Sequence, residues 1–134
     1  MESRFLLDTH VVIRWLAEPK KLSREQFQVV RDAVRHRETV AMSAMSLLEI
    51  AAIVTSGKHR IRASVEGLLG DLEFNPVFQV LPITYAIAAE VAALRNSLRD
   101  PADRAIVATA RVHSLRLLTS DQRIIESKLV PVVF

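Results

Sequence analysis

The sequence predicts an α/β fold in which helices cover both faces of a parallel sheet. Short apolar runs alternate with longer helical segments along the whole chain. The first run, Phe5-Leu6-Leu7, is apolar throughout, as expected of a strand that is buried on both faces. Alternation of this kind is typical of strands joined by helical crossovers. The length of 134 residues fits a single domain, 1–134.

Proline and capping residues set the expected bounds of the first helices. Residues 11–16 predict a helix that ends before Pro19, because a proline disfavours helical backbone at the residue before it. The capping-box pattern at 23–26 opens an amphipathic helix that runs to about residue 36. We expect one apolar stripe of this helix to face the core: Phe27, Val30 and Val34.

Residues 39–57 form a stretch of 19 residues with a single charge, Glu49. The stretch has nearly the length of a membrane-spanning helix. A carboxylate at its centre costs on the order of 2.5–3.5 kcal/mol on insertion scales. We therefore expect a strand at 39–42 and a buried helix capped by Ser43 or Ser46. No apolar signal-peptide core precedes it, so a cytoplasmic protein without membrane contact is expected.

The second half of the chain continues the alternation. Helices are predicted at 64–72, 84–98, 101–113 and 121–128. Strands are predicted at 77–81 and 115–118, and residues 130–133 are a candidate fifth strand. The sheet is therefore expected to have four to five strands.

Composition excludes several classes of site. The chain has no cysteine, which excludes a disulfide framework, thiol catalysis and cysteine-ligated metals. Neither GxGxxG nor GxxxxGK[ST] occurs, so a glycine-rich phosphate loop is absent from the sequence. The four histidines are scattered and form no ligand pair. Acidic residues are thus the main candidates for chemistry.

Four acids are predicted to lie near one edge of the sheet, where the carboxyl ends of parallel strands meet. Asp8 follows the first strand and Asp121 follows the fourth, whereas Glu49 and Asp103 lie on the intervening helices. At about 4 Å and an effective dielectric near 20, each pair of carboxylates costs roughly 4 kcal/mol. Either their pKa values are raised, or a hard cation such as Mg²⁺ or Mn²⁺ holds them together.

Helix capping is the competing interpretation of the aspartates. Asp is a preferred N-cap residue, and Asp100-Pro101-Ala102-Asp103 is typical of a helix start. Glu49 distinguishes a functional acid cluster from helix capping. It interrupts an apolar helix, and capping does not explain an acid in the interior of a helix. Acids are almost never fully buried unless they are paired, and simple exposure is the alternative for this residue.

Several short motifs together resemble the PIN-domain ribonucleases, specifically the VapC-type toxins of toxin–antitoxin pairs. They are LLDTH at 6–10, SLLEIA at 46–51, DPADR at 100–104, IVATA at 106–110 and LLTSD at 117–121. The resemblance covers nearly the whole chain. It implies a three-layer α/β/α PIN-like fold with a central, mostly parallel sheet.

The resemblance also implies a site and an activity. Its metal-binding and catalytic acids fall on Asp8, Glu49, Asp103 and Asp121. Thr9 and Thr119 resemble hydroxyl groups that orient the aspartates, and Asp100 matches a commonly acidic position whose role is structural. The implied protein is a Mg²⁺-dependent endoribonuclease toxin (Mn²⁺ as alternative), a homodimer that a VapB-like antitoxin neutralises.

The charge balance favours a polyanionic substrate. Without the four site acids the chain has 18 basic and 11 acidic residues, a surplus of +7. Contacts with phosphates would then dominate affinity. The densest basic segment supplies candidate RNA contacts at Lys58, Arg60 and Arg62, and a solvated charged loop is the alternative for it.

Three rival functions remain at this point. A haloacid-dehalogenase type of phosphotransferase needs a second acid two residues after Asp8, where His10 stands instead. A non-catalytic PIN module would bind RNA or a partner without cutting, which the intact acidic set argues against. A PIN-domain ribonuclease in RNA processing or turnover would share the site without a toxin role.

Overall fold

The computed structural model describes residues 3–57 and 64–134. Within these ranges five strands form one sheet, and all of its strand pairs are parallel. The strands are β1 (Phe5–Leu7), β2 (Val40–Ser43), β3 (Phe78–Leu81), β4 (Arg116–Leu118) and β5 (Val132–Val133). Their order across the sheet is β3-β2-β1-β4-β5. The first strand is central, which places the residue after it in the middle of one sheet edge.

Seven α-helices connect the strands within the described ranges. They are α1 (Thr9–Ala17), α2 (Arg24–Arg35), α3 (Ala44–Thr55), α4 (Val65–Phe74), α5 (Tyr85–Leu94), α6 (Pro101–His113) and α7 (Gln122–Ser127). Short 3-10 turns occupy Pro19–Lys21 and Arg95–Ser97. No helix in the described ranges has both the length and the apolar character needed to cross a bilayer.

Two apolar clusters lie on opposite faces of the sheet. Leu7 packs with residues of α1 to α4, whereas its neighbour Leu6 packs with residues of α5, α6 and α7. Both leucines are completely buried, as the alternation of side chains along a strand requires when helices cover both faces. The predicted three-layer α/β/α fold with a parallel central sheet is therefore confirmed, with the fifth strand present.

The helix α2 begins as predicted, and two of the three predicted stripe residues face the core, Val30 fully buried and Phe27 partly buried. Ser23 and Gln26 form the capping box, with the Gln26 backbone N–H donating to the Ser23 hydroxyl at 3.1 Å. The predicted stripe was wrong at Val34, which is 50% exposed, while Ala33 is buried. Gln26 is also completely buried, and its amide donates to the Ser120 hydroxyl and the Val133 carbonyl.

The cap of α3 is Ser43, whose hydroxyl accepts a hydrogen bond from the Met45 backbone N–H at 3.1 Å. Of the two predicted caps, Ser46 is instead buried inside the first turns of the helix. Its hydroxyl is therefore available to a neighbouring element.

The helix predicted at 84–98 was too long, because α5 ends at Leu94. Arg95 has φ 50° and ψ −122°, a conformation that cannot continue a right-handed helix. The chain then makes a 3-10 turn and begins α6 with Asp100 as its N-cap. Arg104 of α6 donates to the Arg95 carbonyl at 3.5 Å, which ties the two helices together at this turn.

Candidate functional site

Asp8 lies at the carboxyl end of the central strand and caps α1. It is buried, and both of its carboxylate oxygens accept hydrogen bonds. Oδ1 accepts from the Thr9 backbone N–H at 2.8 Å, and Oδ2 accepts from the Thr119 hydroxyl at 2.7 Å. The Asp8 backbone N–H donates to the Leu118 carbonyl at 2.9 Å and so extends the pairing of β1 with β4. The side chain is therefore held in one orientation.

Thr119 connects two of the predicted site aspartates. Besides donating to Asp8, its buried hydroxyl oxygen accepts a hydrogen bond from the Asp121 backbone N–H at 3.1 Å. Asp121 in turn caps α7, with Oδ1 accepting from the Arg123 backbone N–H at 2.9 Å. The end of β4 thereby fixes both acids relative to each other.

Thr9 connects α1 to the acid of α3. Its hydroxyl donates to Glu49 Oε1 at 2.6 Å and lies 2.8 Å from the Ser46 hydroxyl. Because the Thr9 proton is directed to the carboxylate, Ser46 is the donor in the second bond. The site therefore includes Ser46, which the sequence analysis considered only as a cap. Its position three residues before Glu49, on the same face of a helix, was the available signal.

The electrostatics of the acids show that they share one neighbourhood. Burial is the largest cause that raises the pKa of Asp103, and together with the negative charges of Asp100, Asp121, Asp8 and Glu49 it brings this pKa to about 7. Three other segments of the chain, besides the start of its own helix, thus contribute charge to one carboxyl group. Asp103 itself is half-buried in the first turn of α6.

The pKa values of the two other shifted acids are also raised. Burial is the main cause for Asp8, and the bonds from Thr119 and Thr9 oppose it. Burial is again the main cause for Glu49, opposed by the bond from Thr9 and reinforced by the charge of Asp8. A positive charge on the exposed His10 lowers both pKa values. The sequence analysis had named His10 only among the scattered histidines and as the residue two positions after Asp8.

Capping and clustering coexist at this edge of the sheet. Asp8, Asp100 and Asp121 each accept a backbone N–H at the start of a helix. The exposed Asp100 binds the Ala102 N–H at 2.8 Å, as a structural role requires. Glu49 and Asp103 cap nothing, so capping alone does not account for the cluster.

A sequence profile of the PIN domain matches residues 5–128.

The chain belongs to the PIN domain family.

Relatives of this PIN domain agree with the assignment. Ribonuclease VapC22 of Mycobacterium tuberculosis (strain ATCC 25618 / H37Rv) is 37% identical over 120 residues, which cover 89% of this chain and 88% of the relative. FitAcB from Neisseria gonorrhoeae is 26% identical, with a TM-score of 0.69 and coverage of 97% and 96% of the two chains. VapBC2 from Rickettsia felis, bound to a DNA fragment from its promoter, shares the fold at 14% identity, with a TM-score of 0.71 and coverage of 96% of each chain.

The donor set of this PIN domain suits a hard cation. Its acids and hydroxyls offer only oxygen ligands, which Mg²⁺ and Mn²⁺ prefer. Burial, and after it the negative charge of the neighbouring acids, raises the pKa of Asp103 to about 7, and the cations of the protein do not reverse this rise. Across residues 3–57 and 64–134, however, no three acid or imidazole side chains lie close enough together to form a ready cation site.

The predicted RNA contacts of this PIN domain at Lys58, Arg60 and Arg62 lie outside the described residues. The other site residues named from the sequence all lie within them.

Proposed function

We propose that this PIN domain is a divalent-metal-dependent endoribonuclease and the toxin of a toxin–antitoxin pair. The observation that carries the proposal is the shared charge neighbourhood, in which Asp100, Asp121, Asp8 and Glu49 all raise the pKa of Asp103. Such uncompensated charge at a strand-end crevice is typical of a functional site. The 37% identity to a protein named ribonuclease VapC22 supports the choice of RNA as substrate.

In this proposal Asp8, Glu49, Asp103 and Asp121 hold one or two Mg²⁺ ions. The bound ion supplies charge neutralisation for the phosphodiester and lowers the pKa of water in the site. The Thr119 hydroxyl orients the Asp8 carboxylate by a hydrogen bond to one of its oxygens, and the Thr9 hydroxyl orients the Glu49 carboxylate in the same way. Asp103 is half-buried, and its pKa of about 7 lets it change its protonation near neutral pH.

The chain's own residues thus prepare an in-line hydrolysis of RNA. Five of the six residues that supply these acid and hydroxyl groups, all except Asp103, make hydrogen bonds that fix their orientation. Fixed dipoles and charges of this kind need little reorganisation when charge develops in the transition state. No histidine or lysine nucleophile is required in this scheme.

The proposed partners follow from the relatives. Several similar solved structures are toxin–antitoxin complexes, among them VapBC from Salmonella typhimurium and VapBC-5 from Mycobacterium tuberculosis. We propose a VapB-like antitoxin for this chain, with a basic side chain that reaches the carboxylates. A homodimer in the cytoplasm is part of the same proposal.

Cleavage of single-stranded RNA by the purified chain tests the function. Wild type is expected to cut in Mg²⁺ or Mn²⁺ and to stop in EDTA, whereas Asp8→Asn is expected to be inactive. Asp71→Asn is the matched control, because Asp71 is an exposed acid on α4 outside the cluster. Cleavage that survives both EDTA and Asp8→Asn would refute the proposal.

Growth of cells that express the chain alone tests the toxin role. Arrest is expected for wild type and for Asp71→Asn, and normal growth is expected for Asp8→Asn. Normal growth with active wild-type enzyme would instead indicate a ribonuclease of RNA processing. Binding of RNA without any cleavage would indicate a non-catalytic module.

A further inference from the structure

A basic pocket lies between the 3-10 turn Pro19–Lys21 and the helix α2. It has a volume of about 660 Å³, and its lining includes Lys20, Arg24, Arg31 and Phe27. A volume of this size accommodates a drug-sized ligand or one nucleotide. Nothing in the proposed chemistry of the acidic site uses these residues.

The charged side chains that line the pocket are all positive. Three cations line it, and no described carboxylate does. Arg31 forms an ion pair with Asp32, whose Oδ1 lies 3.8 Å from Nε, but the buried Nε atom has no acceptor within hydrogen-bond distance. A buried donor without an acceptor is uncommon in folded proteins and indicates a missing partner. The pocket is therefore suited to an anion.

The aromatic side chain in the pocket narrows the class of anion. Phe27 is partly buried, and its ring centroid lies 5.4 Å from that of Trp15 at an interplanar angle of 46°. This contact fixes the ring while leaving part of it in the pocket. An aromatic face flanked by cations is the arrangement that binds single-stranded nucleic acid, with the base stacked and the phosphate paired. An acidic peptide would need the cations but not the ring.

A buried glutamine connects the pocket helix to the acidic site. Gln26 Nε2 donates to the Ser120 hydroxyl at 3.3 Å and to the Val133 carbonyl at 3.1 Å. Ser120 directly precedes Asp121, at the carboxyl end of β4. The first turn of α2 is thus fixed at the edge of the sheet that carries the acids.

We propose that this pocket binds one nucleotide of a single-stranded RNA that extends into the acidic site. The base stacks on Phe27, and the adjoining phosphates pair with Lys20, Arg24 and Arg31. The proposal rests on the proposed function for the identity of the polymer. It adds a substrate subsite on α2, separate from the basic segment predicted at 58–62.

Binding of a short, fluorescein-labelled single-stranded RNA of mixed sequence tests the pocket. The measurement uses fluorescence anisotropy with protein carrying Asp8→Asn, so that the RNA stays intact. Arg24→Gln and Arg31→Gln are each expected to weaken binding about 3- to 10-fold and to lower the slope of log affinity against log salt by about 1. Phe27→Leu keeps an apolar contact for Trp15 but is expected to weaken binding about tenfold through loss of stacking.

Arg35→Gln is the matched control, because Arg35 is exposed on the last turn of the same helix and outside the pocket. It is expected to bind RNA as Asp8→Asn alone does. Thermal unfolding of every variant separates loss of binding from loss of folding. An excess of poly-glutamate peptide serves as a competitor of the other macromolecular class.

Two outcomes would overturn the proposal that the pocket binds a nucleotide of RNA. One is equal RNA affinity and salt slope for Arg24→Gln, Phe27→Leu and Arg35→Gln in folded protein. The other is loss of poly-glutamate binding without loss of RNA binding, which would assign the pocket to an acidic peptide. Failure of the proposed function is distinguishable, since it shows as pocket-dependent RNA binding with no cleavage by the wild type.

Discussion

The Thr119 hydroxyl donates a hydrogen bond to Asp8 Oδ2 at 2.7 Å, between residues that are 111 positions apart in the chain. Both side chains are buried, and the same hydroxyl oxygen accepts the Asp121 backbone N–H. One threonine therefore sets the position of two acids. The bond stabilises the ionised form of Asp8 against the burial that raises its pKa.

Replacement of this hydroxyl is expected to impair both stability and metal binding. Thr119→Val should lower the free energy of unfolding by about 1–3 kcal/mol, because the buried Asp8 oxygen loses its donor. It should also raise the pKa of Asp8 further and weaken Mg²⁺ binding about 10- to 100-fold, as loss of a group that orients a metal ligand does. Urea unfolding, carboxyl NMR titration and calorimetry provide the measurements.

Thr119→Ser keeps the hydroxyl and is the matched control. It should retain most of the Mg²⁺ affinity and leave the pKa of Asp8 close to that of the wild type. Equal behaviour of the valine and serine variants would show that the hydrogen bond has no part in the site.

Asp103 is expected to make stability depend on pH in the absence of metal. Its pKa is about 7 in the folded protein against an ordinary value of 3.8. Between these values the unfolded chain binds fewer protons at this group, so its contribution to stability is present below about pH 4 and is lost as pH rises toward 7. Asp103→Asn should therefore stabilise the protein above pH 7, by about 1 kcal/mol because solvent screens a half-exposed carboxyl.

Urea unfolding in EDTA at pH 5 and pH 8 measures this effect. The gain from Asp103→Asn should be larger at pH 8, and Asp71→Asn should show no such difference between the two pH values. An equal gain at both pH values would contradict the raised pKa.

Divalent ions are expected to stabilise the folded protein. Mg²⁺ or Mn²⁺ at 100 times its dissociation constant should add about 2.7 kcal/mol to the free energy of unfolding and raise Tm by several degrees. The rise should shrink at pH 5, where protons compete for the carboxylates. Differential scanning calorimetry of wild type, Asp8→Asn and Asp71→Asn provides the comparison, and the prediction fails if Tm rises equally in all three.

A glycine at position 95 is expected to stabilise the turn between α5 and α6. Arg95 has φ 50° and ψ −122°, a region that suits glycine and costs other residues about 1–3 kcal/mol. Arg95→Gly should raise the free energy of unfolding by about 1 kcal/mol, after the greater freedom of glycine in the unfolded chain is subtracted. Arg95→Ala keeps the strained backbone and should give no gain. Thermal unfolding of the two variants tests the difference.

The sequence predicted features that depend on residues close together in the chain or on the order of strands and helices. Asp8 and Asp121 follow apolar strands, and parallel strands end at one edge, so their proximity followed from the fold class. The capping pattern at 23–26 likewise depends only on neighbouring residues. Both features are present in the structure.

Features that depend on distant contacts were not visible in the sequence. The Ala-rich run after Thr84 contains no glycine or proline to mark its end. The end of α5 at Leu94 depends on the backbone of Arg95, which docks against Arg104 of the next helix. Burial of Gln26 was also missed, since a polar residue is accepted in the core only where acceptors such as the Val133 carbonyl happen to lie.

The order of the strands across the sheet has a consequence for protein synthesis. β4 pairs with the central β1 although more than 100 residues separate them, and Asp121 comes after β4. The acids emerge from the ribosome in the order 8, 49, 103 and 121. A nascent chain therefore holds no complete acid cluster until residue 121 has been translated. Any fragment released earlier lacks Asp121, which is both the last acid of the cluster and the residue whose backbone N–H binds the Thr119 hydroxyl.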